Sequence, residues 1–294
     1  MGLFFSSDRF TRPGPGVRPD APRKKGVARL AEIMGRDMWN FFRAGFLAFL
    51  GCLPFIIGMF FAVETHALLF MLPAGIIGGL IAGPELSAMA DTVLRSLRDE
   101  PGYWWETYRR VWKRNARESL VPGMLTGLVL SMQIFTLFHM SVISAGIVTW
   151  ALLILSFVVT LGLESYIWPQ IALLDLPLYG ILKNSLLLFL GYLPRSLGAI
   201  AIKAVYWGAI LLFFPLTTII LPFTNFWLPM LPALLCIYQP LNKCFTIEST
   251  INKMREDELN AALAKDNEPL PEDPTEKAEE STQASSDDSS SNVQ

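Results

Sequence analysis

Six apolar runs that contain no charged residue constrain the fold of this 294-residue chain more than any other feature. Each run is 16 to 23 residues long, and a helix of about 20 residues crosses the roughly 30 Å hydrocarbon core of a bilayer. Because lipid offers no hydrogen bonds to a backbone, such runs are expected to cross as helices. The predicted spans are residues 44–63, 67–84, 120–138, 141–163, 204–221 and 226–241.

The pattern predicts an all-α fold, a polytopic membrane helical bundle of about six transmembrane helices with cytosolic interfacial amphipathic helices. Composition supports this class, since 17% of the residues are charged against about 25% in an ordinary soluble domain. Residues 1–36 are predicted to form a basic, Pro/Gly-rich, extended cytosolic arm, and residues 37–255 the transmembrane domain. Residues 256–294 are rich in acidic residues, Ser and Pro, and are predicted to be a disordered cytosolic tail.

The distribution of positive charge predicts the topology. All 24 Lys and Arg residues lie in four segments, which are residues 1–43, 85–119, 164–203 and 242–294. The other three connections between spans are short turns that contain no Lys or Arg, and these are residues 64–66, 139–140 and 222–225. Because cytosolic segments keep an excess of Lys and Arg, we expect a multi-pass protein of the bacterial cell membrane with both termini in the cytosol.

Residues 99–119 are predicted to form a basic amphipathic helix at the membrane surface. At about 100° per residue, aromatic and basic side chains fall on opposite faces. The expected interface or partner contacts are Trp104, Trp105, Tyr108, Trp112, Arg109, Lys113, Arg114 and Arg117. The aromatic rings would anchor the helix among lipid headgroups and the cations would meet anionic lipid, or the same face would dock a protein. Nucleic acid is not an expected partner, because it needs free aromatic rings for stacking.

Two further patterns concern how the helices pack. Small residues recur every fourth position in the second span (Gly75, Gly79, Gly83) and in the third (Gly123, Gly127, Ser131). Such stripes let the backbones of two helices approach closely. Residues 178–193 are expected to form a second helix near the surface, either interfacial or partly re-entrant.

Polar residues near or inside the spans are functional suspects, because their burial in a bilayer is costly. The buried polar candidates are Asn40, Glu85, Gln133 and Glu164. Gln133 lies within the third span and needs a partner. The two glutamates end spans on the same predicted side and could pair with cations such as Arg114 or Arg117, or remain at the interface with water.

Motifs for catalysis or cofactor binding are missing from the sequence. It has no nucleophile elbow, no phosphate-binding loop and no metalloprotease signature, so we predict no catalytic residues, no cofactor and no enzyme. His66 and His139 fall in two turns on the same predicted side and could meet with Glu64 as a metal site. Because isolated surface histidines are far commoner, no metal site is predicted.

Several segments together resemble the YesL-like family of bacterial integral membrane proteins, a family of unknown function. The matching pieces are Arg12–Val17 with the basic run that follows, Trp39–Phe42, Gly83–Pro84, and Trp112–Asn115. Members are often encoded near genes for carbohydrate uptake and polysaccharide degradation. The resemblance implies a non-enzymatic accessory or regulator linked to carbohydrate uptake, with the lipid bilayer and a sugar importer or another protein as partners. The alternative is a small membrane carrier whose substrate binds between helical hairpins.

Overall fold

A computed structural model describes residues 23–100, 102–142 and 146–266, and this part of the chain is helical without a strand. Its helices are α1 Gly26–Glu64, α2 Leu68–Arg98, α3 Trp104–Phe138, α4 Ile147–Leu173, α5 Leu178–Gly191, α6 Leu193–Leu212, α7 Leu221–Thr224, α8 Trp227–Phe245 and α9 Ile247–Asp266. Six helical stretches are long and apolar enough to cross a membrane, namely α1 to α4, α6 and the α7–α8 segment. The predicted all-α polytopic bundle is confirmed.

Two predicted boundaries differ from the structure. Helix α1 begins at Gly26, so residues 26–36 are helical rather than part of an extended arm, because the chain has no proline between Pro22 and Pro54. The segment 104–119 is not a separate surface helix, since α3 continues through it to Phe138 and accommodates Pro122 in its interior.

The chain also divides into two units at Phe245, and α9 belongs to the second, residues 246–294. Residues 256–266 of the predicted disordered tail are helical within α9. The rest of that tail and residues 1–22 of the arm lie outside the described residues.

The two small-residue stripes pack directly against each other between α2 and α3. A Cβ atom added at Gly79 would collide with the backbone carbonyl of Gly123, and one added at Gly127 would collide with that of Gly75. The same close approach continues from Gly83 at the carbonyl of Ser119. The expectation that such a stripe lets another helix approach closely is confirmed, and the helix that approaches each stripe is the one that carries the other.

Two groups of side chains define the ends of the α1–α3 assembly. His66, in the α1–α2 turn, meets His139 after α3, and we call this the histidine end. Arg29 and Arg36 of α1 meet Asp99, which follows α2, at what we call the ion-pair end.

Helix α5 runs back alongside α4 rather than lying across the surface. Gln170 of α4 donates a hydrogen bond to Ser185 of α5 over 2.8 Å, and the ring of Phe189 packs on Gly162. Residues 162 and 170 are about 12 Å apart along a helix. Helix α5 therefore penetrates the depth occupied by α4, which favours the re-entrant alternative for residues 178–193.

The prediction that the turn at residues 222–225 lies on the same side as the histidine end is wrong. Phe223 stacks on Phe42 of α1 with ring centres 5.9 Å apart, and Asn225 packs against Gly45. Gly45 precedes Glu64, the last residue of α1, by 19 positions, or about 29 Å of helix. The turn thus lies about one hydrocarbon thickness from the histidine end.

Helix α8 consequently runs in the same direction as α1. It begins with Trp227 stacked on Phe41, and its other end brings Cys244 to 3.6 Å from Tyr192 in the α5–α6 turn. That turn lies toward the histidine end, because Phe189 contacts α4 at Gly162. Within the described bundle, α1 begins at the ion-pair end, whereas α8 ends toward the histidine end. The expectation of two cytosolic termini requires the first and last helices of the bundle to begin and end on the same face, and these helices do not.

Candidate functional site

Asp99 is the centre of the ion-pair end. It is the left-handed C-cap of α2, with φ of 59°. Its carboxylate accepts a hydrogen bond from Arg29 at 2.6 Å and pairs with Arg36 and with Arg23. Burial raises the pKa of Asp99, but the hydrogen bonds from Arg36 and Arg29 outweigh burial and lower it below its ordinary value. These bonds fasten the start of α1 to the α2–α3 connection.

A second set of ion pairs lies next to the Asp99 cluster. Arg95 donates to the buried carboxylate of Asp91 at 2.7 Å and also pairs with Glu100. Arg98, whose side chain is 5% exposed, donates to Glu100 at 2.9 Å. Positive and negative groups therefore neutralise each other around this end of the molecule.

A cavity of about 300 Å³ opens between α1, α2 and the start of α3 at the ion-pair end. Its walls include Arg36, Asn40, Arg95, Asp99, Trp104 and Thr107. The indole Nε1 of Trp104 is buried without a hydrogen-bond partner among the described residues, an arrangement that is rare in folded proteins. Of the predicted buried polar candidates, only Asn40 lines this cavity.

Glu85 is held by the aromatic face of α3 and not by its cations. The hydroxyl of Tyr108 donates to one carboxylate oxygen at 2.5 Å, and the indole of Trp112 donates to the other at 2.9 Å. The predicted pairing with Arg114 or Arg117 is therefore wrong. Because the aromatic face of α3 turns inward onto α2, its basic face is left outside.

The eight predicted interface residues thus divide into two groups. Tyr108 is buried and Trp112 half-buried, so neither ring is free for a partner. Trp104 is also half-buried, with the guanidinium of Arg43 5.7 Å from its ring centre. The exposed members are Trp105, which is 58% exposed, with Arg109, Lys113, Arg114 and Arg117. Arg114 also donates to the backbone carbonyl of Ala172 at 2.8 Å.

Gln133 finds partners for its amide N–H groups, while its buried side-chain oxygen has none among the described residues. Its amide donates to the hydroxyls of Ser156 and Thr160 on α4, at 2.5 and 2.8 Å. These bonds join two neighbouring helices, which is the usual role of such a residue in a membrane.

Glu164 lines a narrow cleft between α4, α6 and α8 together with Lys203 and Ser165. Lys203 is 8% exposed, and its ammonium donates to the hydroxyl of Ser165 at 2.9 Å. Glu164 and Lys203 form no ion pair within 4 Å in the described structure, although they interact electrostatically. Sequence reasoning missed the burial of Lys203, because the predicted fifth span begins at residue 204 and leaves this residue in the cation-bearing segment 164–203.

His66 and His139 meet through their rings, as the sequence allowed. In the neutral tautomer that donates from Nδ1 to the carbonyl of Phe135 at 2.8 Å, His139 accepts at Nε2 the hydrogen bond from Nδ1 of His66 at 2.7 Å. Glu64 does not join them, and the described residues contain no group of three His, Cys, Asp or Glu able to hold a metal ion.

No family model matches this chain, and the searches of curated proteins and of solved structures found no match. The basic face of α3, the ion-pair end and the α4–α6–α8 cleft therefore carry the functional inference. The Asp99–Glu100 pair was one signal available in the sequence, because two adjacent acids interrupt a basic region with Arg95 and Arg98 just before them.

Proposed function

We propose that this chain is a non-enzymatic accessory or regulatory subunit that works with a carbohydrate importer in the bacterial cell membrane. The observation that supports it is the rigid basic face of α3, which offers a docking surface for an acidic partner. The link to carbohydrate rests on the YesL-like resemblance, whose residues Trp112–Asn115 fall on this same helix.

The basic face of α3 is rigid because its opposite face is fixed. Glu85 holds Tyr108 and Trp112 from α2, and further along, the small-residue stripes bring α2 and α3 into backbone contact. A docking surface that is already ordered loses little conformational entropy when a partner binds.

Three exposed cations on this face form no ion pair within the described part of the chain, and these are Arg109, Lys113 and Arg117. Positive charge that the fold itself does not neutralise remains available to an acidic protein surface or to anionic lipid. A protein partner accounts for the rigid placement of the cations on α3, because docking to a protein requires a defined geometry. Attraction to anionic lipid requires only positive charge near the membrane surface.

The ion-pair end is the side that we assign to the cytosol. Sixteen of the 24 Lys and Arg residues lie in segments 1–43 and 85–119, and cytosolic segments keep such an excess. The basic face of α3 would then meet the cytosolic side of an importer.

Site-directed photocrosslinking in cell membranes tests the docking proposal. A photoreactive residue replaces Lys113 on the exposed face, and the control replaces Tyr108 on the buried face of the same helix. We expect a cross-link from position 113 to an importer subunit, and its yield should fall several-fold when Arg109 and Arg117 are changed to Glu. Adducts with lipid alone from position 113 would contradict the proposal.

The buried Lys203 favours a second candidate, a small carrier whose coupling site lies between α4, α6 and α8. A charged group inside a membrane helix commonly marks a proton or ion pathway. Proteoliposomes that contain only this chain distinguish the two functions. A carrier accumulates labelled mono- or disaccharide by itself and loses uptake in Lys203→Met, whereas an accessory subunit transports nothing without its partner.

A further inference from the structure

We propose that the cavity at the ion-pair end binds a polyol, meaning a group with neighbouring hydroxyls such as a monosaccharide or the glycerol or inositol headgroup of a lipid. The cavity of about 300 Å³ is at the lower limit of the size range of small-molecule sites. This proposal is independent of the docking surface, because the cavity lies between α1, α2 and the start of α3.

The charged groups in the cavity wall are already paired with one another and therefore do not select for an ion. Arg36 pairs with Asp37 and Asp99, and Arg95 pairs with Asp91 and Glu100. A charged ligand would have to compete with one member of a pair already formed. A neutral ligand can instead use the donors and acceptors that these pairs leave free.

Three neutral polar groups in the cavity wall have unused hydrogen-bonding capacity. Within the described residues, the amide of Asn40 and the hydroxyl of Thr107 make no hydrogen bond, and Nε1 of Trp104 is buried without an acceptor. Asn40 and Thr107 can each donate and accept, and Trp104 can only donate. A hydroxyl also donates and accepts, so several hydroxyls on one small molecule fit this set.

Two sources of a polyol are consistent with the position of the cavity. Arg36 and Asn40 lie four to eight residues before Ala44, where the charge-free run of α1 begins, or about 6 to 12 Å along the helix. This is the depth of lipid headgroups and of the adjoining water. A lipid headgroup and a dissolved sugar can both reach it.

The test uses the full-length chain in nanodiscs of phosphatidylcholine. One arm titrates glucose, glycerol and myo-inositol by calorimetry. The other arm measures by native mass spectrometry the retention of phosphatidylglycerol or phosphatidylinositol, with phosphatidic acid as an anionic lipid that lacks a polyol headgroup. Saturable binding in the first arm identifies a dissolved polyol, and selective retention over phosphatidic acid in the second identifies a lipid.

Variants connect the binding to the cavity. Trp104→Phe keeps an aromatic ring and removes the unpaired N–H, and Thr107→Val removes the hydroxyl. Each should weaken binding about three- to tenfold, the effect of one lost neutral hydrogen bond, while Trp105→Phe on the exposed surface should leave it unchanged. If Trp104→Phe does not fold, the loss of binding in Thr107→Val tests the role of the cavity.

Three results would each overturn the proposal. The first is no saturable binding in either arm. The second is equal retention of phosphatidic acid in the second arm together with no saturable binding of a dissolved polyol in the first. The third is binding that both cavity variants leave unchanged.

Discussion

The first three helices and the later helices of the bundle are held together by different means. Helices α1 to α3 combine backbone contact at the glycine stripes with the ion pairs around Asp99. Helices α4 to α6 are joined through single polar bridges, such as Gln170 to Ser185 and Lys203 to Ser165. In the most apolar stretches of α1 to α3, 28 to 44% of the residues are buried, against 17% in α4 and 22% in α6, whereas the α7–α8 stretch reaches 44%.

The difference shows which structural features leave a pattern in a sequence. A stripe of small residues is periodic and a run of cations is dense, so both can be recognised. A polar bridge between two helices needs only one residue on each helix, so it leaves no repeated pattern. Nothing in the sequence says which two residues will meet. The direction in which the later helices cross the membrane is therefore the feature of the fold that most needs an experimental test.

Cysteine labelling tests the direction of the later helices with an all-or-none result. In a background where Cys52 and Cys236 are Ser, an impermeant maleimide on intact cells should label the exposed Cys244. When Cys244 is also changed to Ser, the reagent should label Thr65→Cys, and Thr224→Cys is tested in that same background. Thr224→Cys should react only after the cells are opened, because the turn packs beside Phe42 and Gly45.

The topology deduced from cations alone requires the opposite result for Cys244 and for Thr224→Cys. Labelling of Thr224→Cys in intact cells, with Cys244 protected, would show that α8 runs the other way. Thr65→Cys reacts from outside in both topologies, so it is the control for reagent access.

A large side chain in the α2–α3 stripe should cause the largest loss of stability. Gly79→Leu places atoms where the backbone of Gly123 lies, and neither helix can yield without losing contact along the whole stripe. We expect the free energy of unfolding to fall by about 3 kcal/mol, measured by denaturation in mixed micelles.

Gly208→Leu on α6 is the matched control for that substitution. A Cβ at Gly208 meets nothing within 4 Å, so this change should be close to neutral. A similar loss in both variants would mean that glycine flexibility, and not close packing, explains the effect at position 79.

The sequence predicted the fold class and the close approach of a helix to a stripe of small residues, because each depends on a repeated local pattern. It failed at α5, whose 14 residues are too few to be recognised as a helix that runs back along α4. Because α5 reverses the direction of the chain within the bundle, α6 runs the opposite way from the prediction, which is why the turn at 222–225 was assigned to the wrong end.

The candidate sites were predictable only where one residue was conspicuous by itself. Gln133 stands out as a strongly polar residue in a span, and its need for a partner was foreseen. The Asp99 cluster joins Arg29, Arg36 and Arg23 from 63 to 76 positions away in sequence. The adjacent acids Asp99 and Glu100 are visible in the sequence, but no local pattern says which distant arginines meet Asp99.

Asp99→Asn should weaken the ion-pair end in a pH-dependent way. At neutral pH we expect a loss of about 2 kcal/mol in the free energy of unfolding, typical of hydrogen bonds between charged groups. The pKa of Asp99 is lowered in the folded state, so its contribution is complete above the ordinary carboxyl value of about 4 and is lost as the pH falls through the folded pKa.

The two proteins should therefore converge in stability on acidification. Denaturation curves at pH 7, 5, 4 and 3 measure the difference between wild type and Asp99→Asn. A difference that stays constant down to pH 3 would mean that the charge of Asp99 does not contribute. Glu106→Gln, at the exposed pair with Arg110, is the control for a surface ion pair of little value.

The smallest effect is expected at the histidine end, where one neutral hydrogen bond joins two turns. His66 has a left-handed backbone with φ of 53°, which Asn tolerates better than Ala does. His66→Asn should therefore lose only the bond to His139, about 1 kcal/mol, whereas His66→Ala should lose more because the backbone strain adds to it. In a His139→Phe background the cost of His66→Asn should vanish, and a cost that persists there would mean that the pair of rings does not connect the two turns.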